Sequence, residues 1–337
     1  MKIKLLYLGN KLSKHGFNKT TVETLGPALE QEDYVVFYSS DKKWFLFRLL
    51  HMVTSLVRYS KTVDYILIDT YSTTAFWYAL LCSQFARLLK VKYIPILHGG
   101  NLPERVKNSR FLSQLLFKYA YKNVAPSGYL KHEFEKLGYA NVSYISNAIA
   151  ITDYPFLVRT TFEPKMLWVR AFASIYNPKM AVDVLVTLKE NYPNASLTMV
   201  GPDKDGSLQD TKEYAKLKGV VVTFTGQLPK AAWLKLAVDD NVFINTTHFD
   251  NTPVSVMEAM ALGLPVISTN VGGIPYLIAD ESDGFLVGDN QTAEMAEKIS
   301  QIVTHPADTI AMVKKARAKI EGMDWQIVKR QWGDLLQ

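Results

Sequence analysis

The chain has 337 residues, 38 Lys+Arg against 32 Asp+Glu, 48% hydrophobic residues and a single cysteine. That length predicts two domains with cores large enough to need no staples, and the apolar fraction excludes wholesale disorder. One cysteine cannot form an internal disulfide, no Cys/His cluster has zinc spacing, and the longest apolar stretch, AFWYALLCSQFARLLK, is interrupted by Gln84 and Arg87, so a disulfide scaffold, a zinc domain and a membrane span are all excluded.

In chain order, KIKLLYL, DYVVFYS, DYILID, KYIPIL, KNVAPS and VSYI read as buried strands. Between them lie stretches with helical apolar spacing, such as TTVETLGPALEQ and SRFLSQLLFKYAYK. Strand and helix in alternation predict a parallel, doubly wound sheet. Residues 42–61, KKWFLFRLLHMVTSLVRYSK, are basic and apolar, with Phe45, Leu49, Met52 and Leu56 on one helical face. Both an interfacial membrane helix and a core-packed helix with basic edges have this pattern.

NAIAITDYPFLVRTTFEP is a turn-rich join, after which the alternation restarts. KMLWVR, ASLTMV, GVVVTFTG, NVFIN and LPVIST are expected as strands. NPKMAVDVLVTLKE, TKEYAKLK, KAAWLKLAVD and PVSVMEAMALG are the expected helices. From Gln291 onward the pattern is mostly helical, and Trp325, Val328 and Trp332 have the spacing to pack as structural aromatics. The expected architecture is two doubly wound, Rossmann-like α/β domains facing across a cleft. Residues 1–155 with a returning helix at 321–337 form the first and 156–320 the second. Ligands of such sheets bind beyond the carboxyl ends of the strands.

Charge divides between the halves. Residues 1–150 carry 20 Lys+Arg against 10 Asp+Glu, and the rest carry 18 against 22. A basic first half suits an anionic surface or ligand. With no helix-turn-helix, RNP or finger motif, nucleic acid is not expected as a partner. The opening MKIKLLYLGNKLSKHG turns polar too soon for a signal peptide. The expected location is cytoplasmic, with peripheral contact at the inner face of the cell membrane left open.

The most informative segment is HFDNTPVSVMEAMALGLPVISTNVGGIP. Asp250 precedes a helix that starts near Pro253, and Glu258 lies about one and a half turns inside it. The free N–H groups near Val254 and Ser255 and the partial positive charge of the helix start suit a phosphate. Glu258 is placed to accept two ribose hydroxyls.

This segment resembles the signature of retaining glycosyltransferases of the GT-B fold, family 4: an acidic residue, seven residues, Glu, then Ala-Met-Ala, Gly-x-Pro-Val and a Gly-Gly turn. The matching residues are Asp250, Glu258, EAMALGLPVIS and Gly272-Gly273. Asp250 is a departure, because the family usually has Glu there and Asp is one methylene shorter. The match extends over almost all of residues 165–305.

The resemblance implies further roles. Arg170 and Lys179 would hold the leaving diphosphate, backbone near Gly226 and Leu228 would contact the base, and Gly16 would approach the donor from the loop GNKLSKHGFNKTT. His98, in LHGGNLP, would lie near the donor sugar and orient it together with Asp250. Ser127 would cap a helix. The implied reaction is metal-independent and retaining, with no cofactor. A hexosyl group would pass from a UDP- or GDP-sugar to a saccharide or lipid-linked saccharide, in cell-surface polysaccharide or glycolipid biosynthesis. The donor would sit on the C-terminal domain and the acceptor on the N-terminal one.

Three alternatives stay open, and a fourth is discounted. A small soluble acceptor is one, and a non-catalytic binder of sugar nucleotides or polyanions on the same fold is another. A metal-dependent transferase would use Asp203 and Asp205 of the string DKD. A dinucleotide-dependent dehydrogenase lacks its G-x-G-x-x-G turn here.

Overall fold

The computed structural model describes residues 2–15 and 20–337. Gly16 lies outside the described residues. The chain divides into two compact units, residues 1–147 with 326–337, and residues 148–325. The join 148–155 and residues 321–325 therefore pack with the second unit, and the last helix belongs to the first.

The first unit holds β1 (Lys4–Leu8), β2 (Val35–Ser39), β3 (Tyr65–Thr70), β4 (Lys92–Leu97), β5 (Asn123–Ala125) and β6 (Val142–Tyr144). They form one parallel sheet in the order β2-β1-β3-β4-β5-β6. All of β3 and nearly all of β4 are buried, as strands covered by helices on both faces must be. The helix Ala75–Leu88 is almost as apolar, which is why its sequence reads like a short membrane span. Among the described residues no helix is long and apolar enough to cross a membrane.

Ser127 caps the helix Gly128–Lys136 by accepting the Leu130 N–H at 3.1 Å. Over TTVETLGPALEQ the expected single helix is two pieces, a 3-10 turn at Thr21–Glu23 and an α-helix at Leu25–Glu30. Pro27 has no N–H to carry a longer helix through its third position. The last helix, Trp325–Leu335, buries Val328 and Trp332. It is tied down by Lys329 to Glu32 at 2.9 Å, and the carbonyl of Gln337 accepts the Tyr65 hydroxyl at 2.8 Å.

The second unit repeats the architecture. Its strands are β7 (Lys165–Val169), β8 (Ser196–Val200), β9 (Thr223–Gly226), β10 (Val242–Asn245), β11 (Val266–Thr269) and β12 (Phe285–Val287). The order is β12-β11-β10-β7-β8-β9, again all parallel. Helices on both faces close two apolar clusters, one around Trp168 and Leu185, the other around Phe243 and Met260.

At the opposite end of this sheet from the strand carboxyl ends, Asp240 is buried just after the helix Lys230–Asp239. Burial, aided by neighbouring Asp239 and opposed by Arg159 and Lys165, pushes its carboxyl up to about 7. A raised carboxyl stabilises the fold fully below its ordinary range and loses that contribution as pH rises through about 7. Asp240→Asn is therefore expected to gain about 2 kcal/mol on the wild type between pH 5 and 8. Urea unfolding at both pH values measures this, and identical pH dependence in the two proteins would refute it.

Candidate active site

The carboxyl ends of β7, β8, β9 and β10 gather the second unit's distinctive groups. Trp168 on β7 is fully buried and donates its indole N–H to Thr246 Oγ1 at 3.0 Å. The Thr246 hydroxyl donates to the carbonyls of Tyr176 and Asn177, both at 2.9 Å. Thr247 reaches the Ile175 carbonyl at 3.1 Å, and Thr269 donates to the Thr247 carbonyl at 2.5 Å. These buried hydroxyls lock the loop after β7 to the loop after β10.

Two glycine positions let backbones meet there. A Cβ on Gly201, just after β8, would lie 1.7 Å from the Arg170 carbonyl oxygen. One on Gly273 would lie 2.0 Å from the Asn251 carbonyl oxygen, while the Gly273 N–H donates to Asp250 O at 2.8 Å. The Gly272-Gly273 turn thus abuts the backbone that carries Asp250.

Within this frame the structure brings Arg170 and Asp250 together as a hydrogen-bonded ion pair, with both side chains mostly buried. Asp250 also accepts the Asn251 N–H at 2.7 Å. The guanidinium lies 4.1 Å over the Tyr176 ring, and its Nε is enclosed without a partner. A cation so confined by a ring face and a carboxylate is pre-oriented.

Val254 and Ser255 open the helix Val254–Leu262, so their N–H groups have no intrahelical acceptor. The Ser255 hydroxyl is enclosed and unpaired. Lys179 sits in the first turn of the helix Pro178–Lys189, exposed, with its ammonium 5.7 Å from the Tyr214 ring centre. Among the described residues it makes no ion pair, and no bond joins it to Arg170 or Asp250.

Glu258 projects from the same helix into a second cluster. Tyr154 donates its hydroxyl to Glu258 at 2.5 Å, and the Lys230 ammonium stands 3.9 Å from the same carboxylate. Lys230 also lies 3.7 Å from Asp153 and 4.2 Å over the Tyr154 ring. Burial raises the Glu258 carboxyl above its usual range, with Tyr154 and Lys230 opposing. Any hydroxyl held by the ionised group is thus released as pH falls through that raised value. Gly226 ends β9 with φ +70°, donating no side chain to the turn, and half-buried Leu228 follows two residues before the Lys230 helix.

In the first unit, His98 follows β4, and its Nε2 lies 2.8 Å from Asp69 Oδ1. Tyr7 donates to the same oxygen at 3.1 Å, and Tyr71 stacks on the imidazole at 4.7 Å. Asp69 Oδ2 is enclosed with no partner. His98 is therefore held by a buried carboxylate at the carboxyl ends of β1, β3 and β4.

The string 203–205 folds as a helix-capping turn. Asp203 accepts the Gly206 N–H at 3.0 Å. Asp205 accepts from the Ser174 N–H at 2.9 Å and from the Ser207 hydroxyl at 2.5 Å. These bonds, that of the Ser207 side chain first, hold the Asp205 carboxyl down at about 2. Both carboxylates are thus engaged locally as caps.

Sequence reasoning did not single out Tyr154, Lys230 or Asp69. Tyr154 stands 104 residues from Glu258, a separation that carries no spacing signal. Lys230 at a helix start and Asp69 at the end of an apolar strand were the only local hints.

Residues 157–319 match the family described as Glycosyl transferases group 1. The amylovoran biosynthesis glycosyltransferase AmsK of Erwinia amylovora is 36% identical over 89 residues, 26% of this chain and 22% of that protein. A glycogen synthase of Mycobacterium tuberculosis is 23% identical over 196 residues, 57% of this chain and 47% of that one. The matches thus span less than half the length of these curated relatives. Among solved structures, Anabaena Alr3699/HepE in complex with UDP superposes with a TM-score of 0.78 at 18% identity, covering 100% of this chain and 99% of that one. Sucrose-phosphate synthase from Thermosynechococcus elongatus superposes with a TM-score of 0.78 at 14% identity, covering 99% and 98%.

Proposed function

We propose that the protein is a retaining, metal-independent hexosyltransferase using a nucleoside diphosphate sugar, a reading supported by the match of residues 157–319 to the glycosyl transferases group 1 model and by the two Rossmann-like domains of the GT-B fold. The observation that carries this reading is the placement of Arg170, Asp250 and the Val254–Leu262 helix start at one end of one sheet, with Glu258 on the same helix. Cation and helix start offer positive charge where a departing diphosphate develops negative charge. Exposed Lys179 adds a second cation.

Glu258 accepts the ribose hydroxyls, and the backbone around Gly226 and Leu228 meets the base. Asp250 offers a polar contact to the donor sugar, and His98 is a candidate sugar contact on the first unit. The acceptor hydroxyl attacks on the face that the diphosphate leaves, and the diphosphate takes its proton. The acceptor is a saccharide or lipid-linked saccharide of cell-surface polysaccharide or glycolipid synthesis, taken up by the first unit. A polysaccharide role is supported by the name of the relative AmsK, and a uracil donor by the UDP in the Anabaena structure.

Thermal shift against UDP, GDP, ADP and their sugar conjugates, without and with metal, tests the donor site. A metal-independent shift by UDP, absent from Glu258→Ala, is the expected result. No shift with any nucleotide would overturn the reading. Turnover of the bound donor distinguishes a transferase from a binder on the same fold.

A further inference from the structure

Tyr154, only 2% exposed, is held at three points. Its carbonyl accepts from the Arg317 guanidinium at 2.7 Å, its ring faces the Lys230 ammonium, and its hydroxyl donates to Glu258 Oε1. The ring belongs to the apolar cluster that also holds Ile149, Val256 and Met257. A phenylalanine ring would fill the same place, so packing alone does not call for the hydroxyl. That hydroxyl is spent on the one carboxylate of the Val254–Leu262 helix.

An ionised carboxylate offers roughly four acceptor sites. Tyr154 takes one, on Oε1, and among the described residues Oε2 accepts no hydrogen bond. The Glu258 side chain is 13% exposed, and burial favours the neutral acid. A protonated carboxyl has a donor where an acceptor is needed, which spoils it for two hydroxyls. Two polar groups oppose that loss. Tyr154, from the join, donates to the ionised form, and Lys230, at the start of its own helix, adds positive charge 3.9 Å away. Asp153 lies beyond Lys230 at 3.7 Å, and Arg317 reaches the Tyr154 and Ala261 carbonyls.

We propose that Tyr154 is a positioning residue of the donor site, its hydroxyl holding Glu258 through one oxygen and leaving the other open to the ribose hydroxyls of the nucleotide, with Lys230 as an auxiliary cation. This rests on the reading of Glu258 as the ribose acceptor. Tyr154 acts through Glu258, so its effect falls on nucleotide affinity and passes through the ribose hydroxyls alone.

Titration of the full chain with UDP, and with a dideoxy-UDP lacking both ribose hydroxyls, tests it. Tyr154→Phe is expected to bind UDP about tenfold more weakly near neutral pH, the usual order when a hydrogen bond to a charged group is lost. Without the hydroxyl the Glu258 carboxyl holds its proton to higher pH. The ratio of wild-type to variant affinity should therefore widen as pH falls and close as pH rises, and taking the ratio cancels the titration of the diphosphate itself. Dideoxy-UDP should bind both proteins equally. Lys230→Met, on a half-exposed side chain, makes the same comparison without touching the buried ring, and should cost UDP about threefold because water screens the ammonium. Equal weakening of UDP and dideoxy-UDP in either variant would overturn the proposal, since a merely structural change does not single out the ribose hydroxyls. So would a Tyr154→Phe protein that binds UDP like the wild type while Glu258→Ala does not, a result that leaves the donor site standing. A wild type that binds no UDP would overturn the donor site itself and the proposal with it.

Discussion

Arg170→Ala is expected to lower kcat/KM for the nucleotide sugar by about 10² to 10³, the usual loss when one preorganised stabiliser of developing charge is removed. The argument rests on how the side chain is held. Its guanidinium is fixed between the Tyr176 ring and Asp250, on a backbone whose N–H donates to the Val200 carbonyl at 3.0 Å. A group already oriented costs no reorganisation as the diphosphate leaves. The loss should fall on kcat more than on KM, because charge on the leaving group grows in the transition state.

Arg170→Lys should recover only part of the activity, because an ammonium cannot present the planar fork. Arg170→Ala leaves Asp250 without its cation, so melting temperatures must accompany the kinetics. Steady-state kinetics at saturating acceptor measure the effect. An Arg170→Ala enzyme that stays folded with nearly full kcat would remove Arg170 from the reaction.

The sheet was legible because buried parallel strands read as short apolar runs. KYIPIL coincides with β4 residue for residue, and KAAWLKLAVD coincides with its helix. Ends were less legible. GVVVTFTG reads as a strand throughout, yet β9 begins only at Thr223. Gly219 turns at φ +70° and Val221 is 87% exposed, so the apolar run starts outside the sheet. TKEYAKLK marks only the last two turns of a helix that begins at Ser207, because Asp203 and Asp205 cap it earlier.

The candidate site divides in the same way. Asp250, Glu258 and the Gly-Gly turn lie on one continuous segment, where spacing along the chain is also spacing in the fold. The partners of these residues come from distant parts of the chain: Arg170 just after β7, Tyr154 in the join, and Lys230 at a helix start. Neither the pairing of Arg170 with Asp250 nor that of Tyr154 with Glu258 leaves any local pattern. The helix Phe45–Tyr59 buries Met52 and Leu56 while Leu46, Leu50 and Val57 stay exposed, and a helix apolar on both sides does not reveal in sequence which side its own domain will cover.

Gly273→Ala should damage both fold and site, and it separates steric crowding from backbone strain. Gly273 has an ordinary φ of −90°, so alanine meets no conformational penalty of its own. The added Cβ would instead stand 2.0 Å from the Asn251 carbonyl oxygen, a backbone atom that no side-chain rotation can move aside. The loop carrying Asp250 must shift, stretching the Gly273 N–H bond to Asp250 O and drawing the carboxylate off Arg170. Overpacking of this kind costs about 1–3 kcal/mol, and the upper end is expected where backbone meets backbone. Because Arg170 would lose its orientation, UDP affinity should fall at least about tenfold as well.

Gly219→Ala is the control. Gly219 has φ +70°, with nothing within 4 Å of an added Cβ, so it carries the strain without the clash. It should lose about 1 kcal/mol and bind nucleotide normally. Urea unfolding and UDP titration of the two variants decide the matter. Equal stability losses with unchanged UDP binding in both would show that the Gly-Gly turn is only a bend. A larger loss with weakened UDP in Gly273→Ala alone would show that the turn holds Asp250 against Arg170.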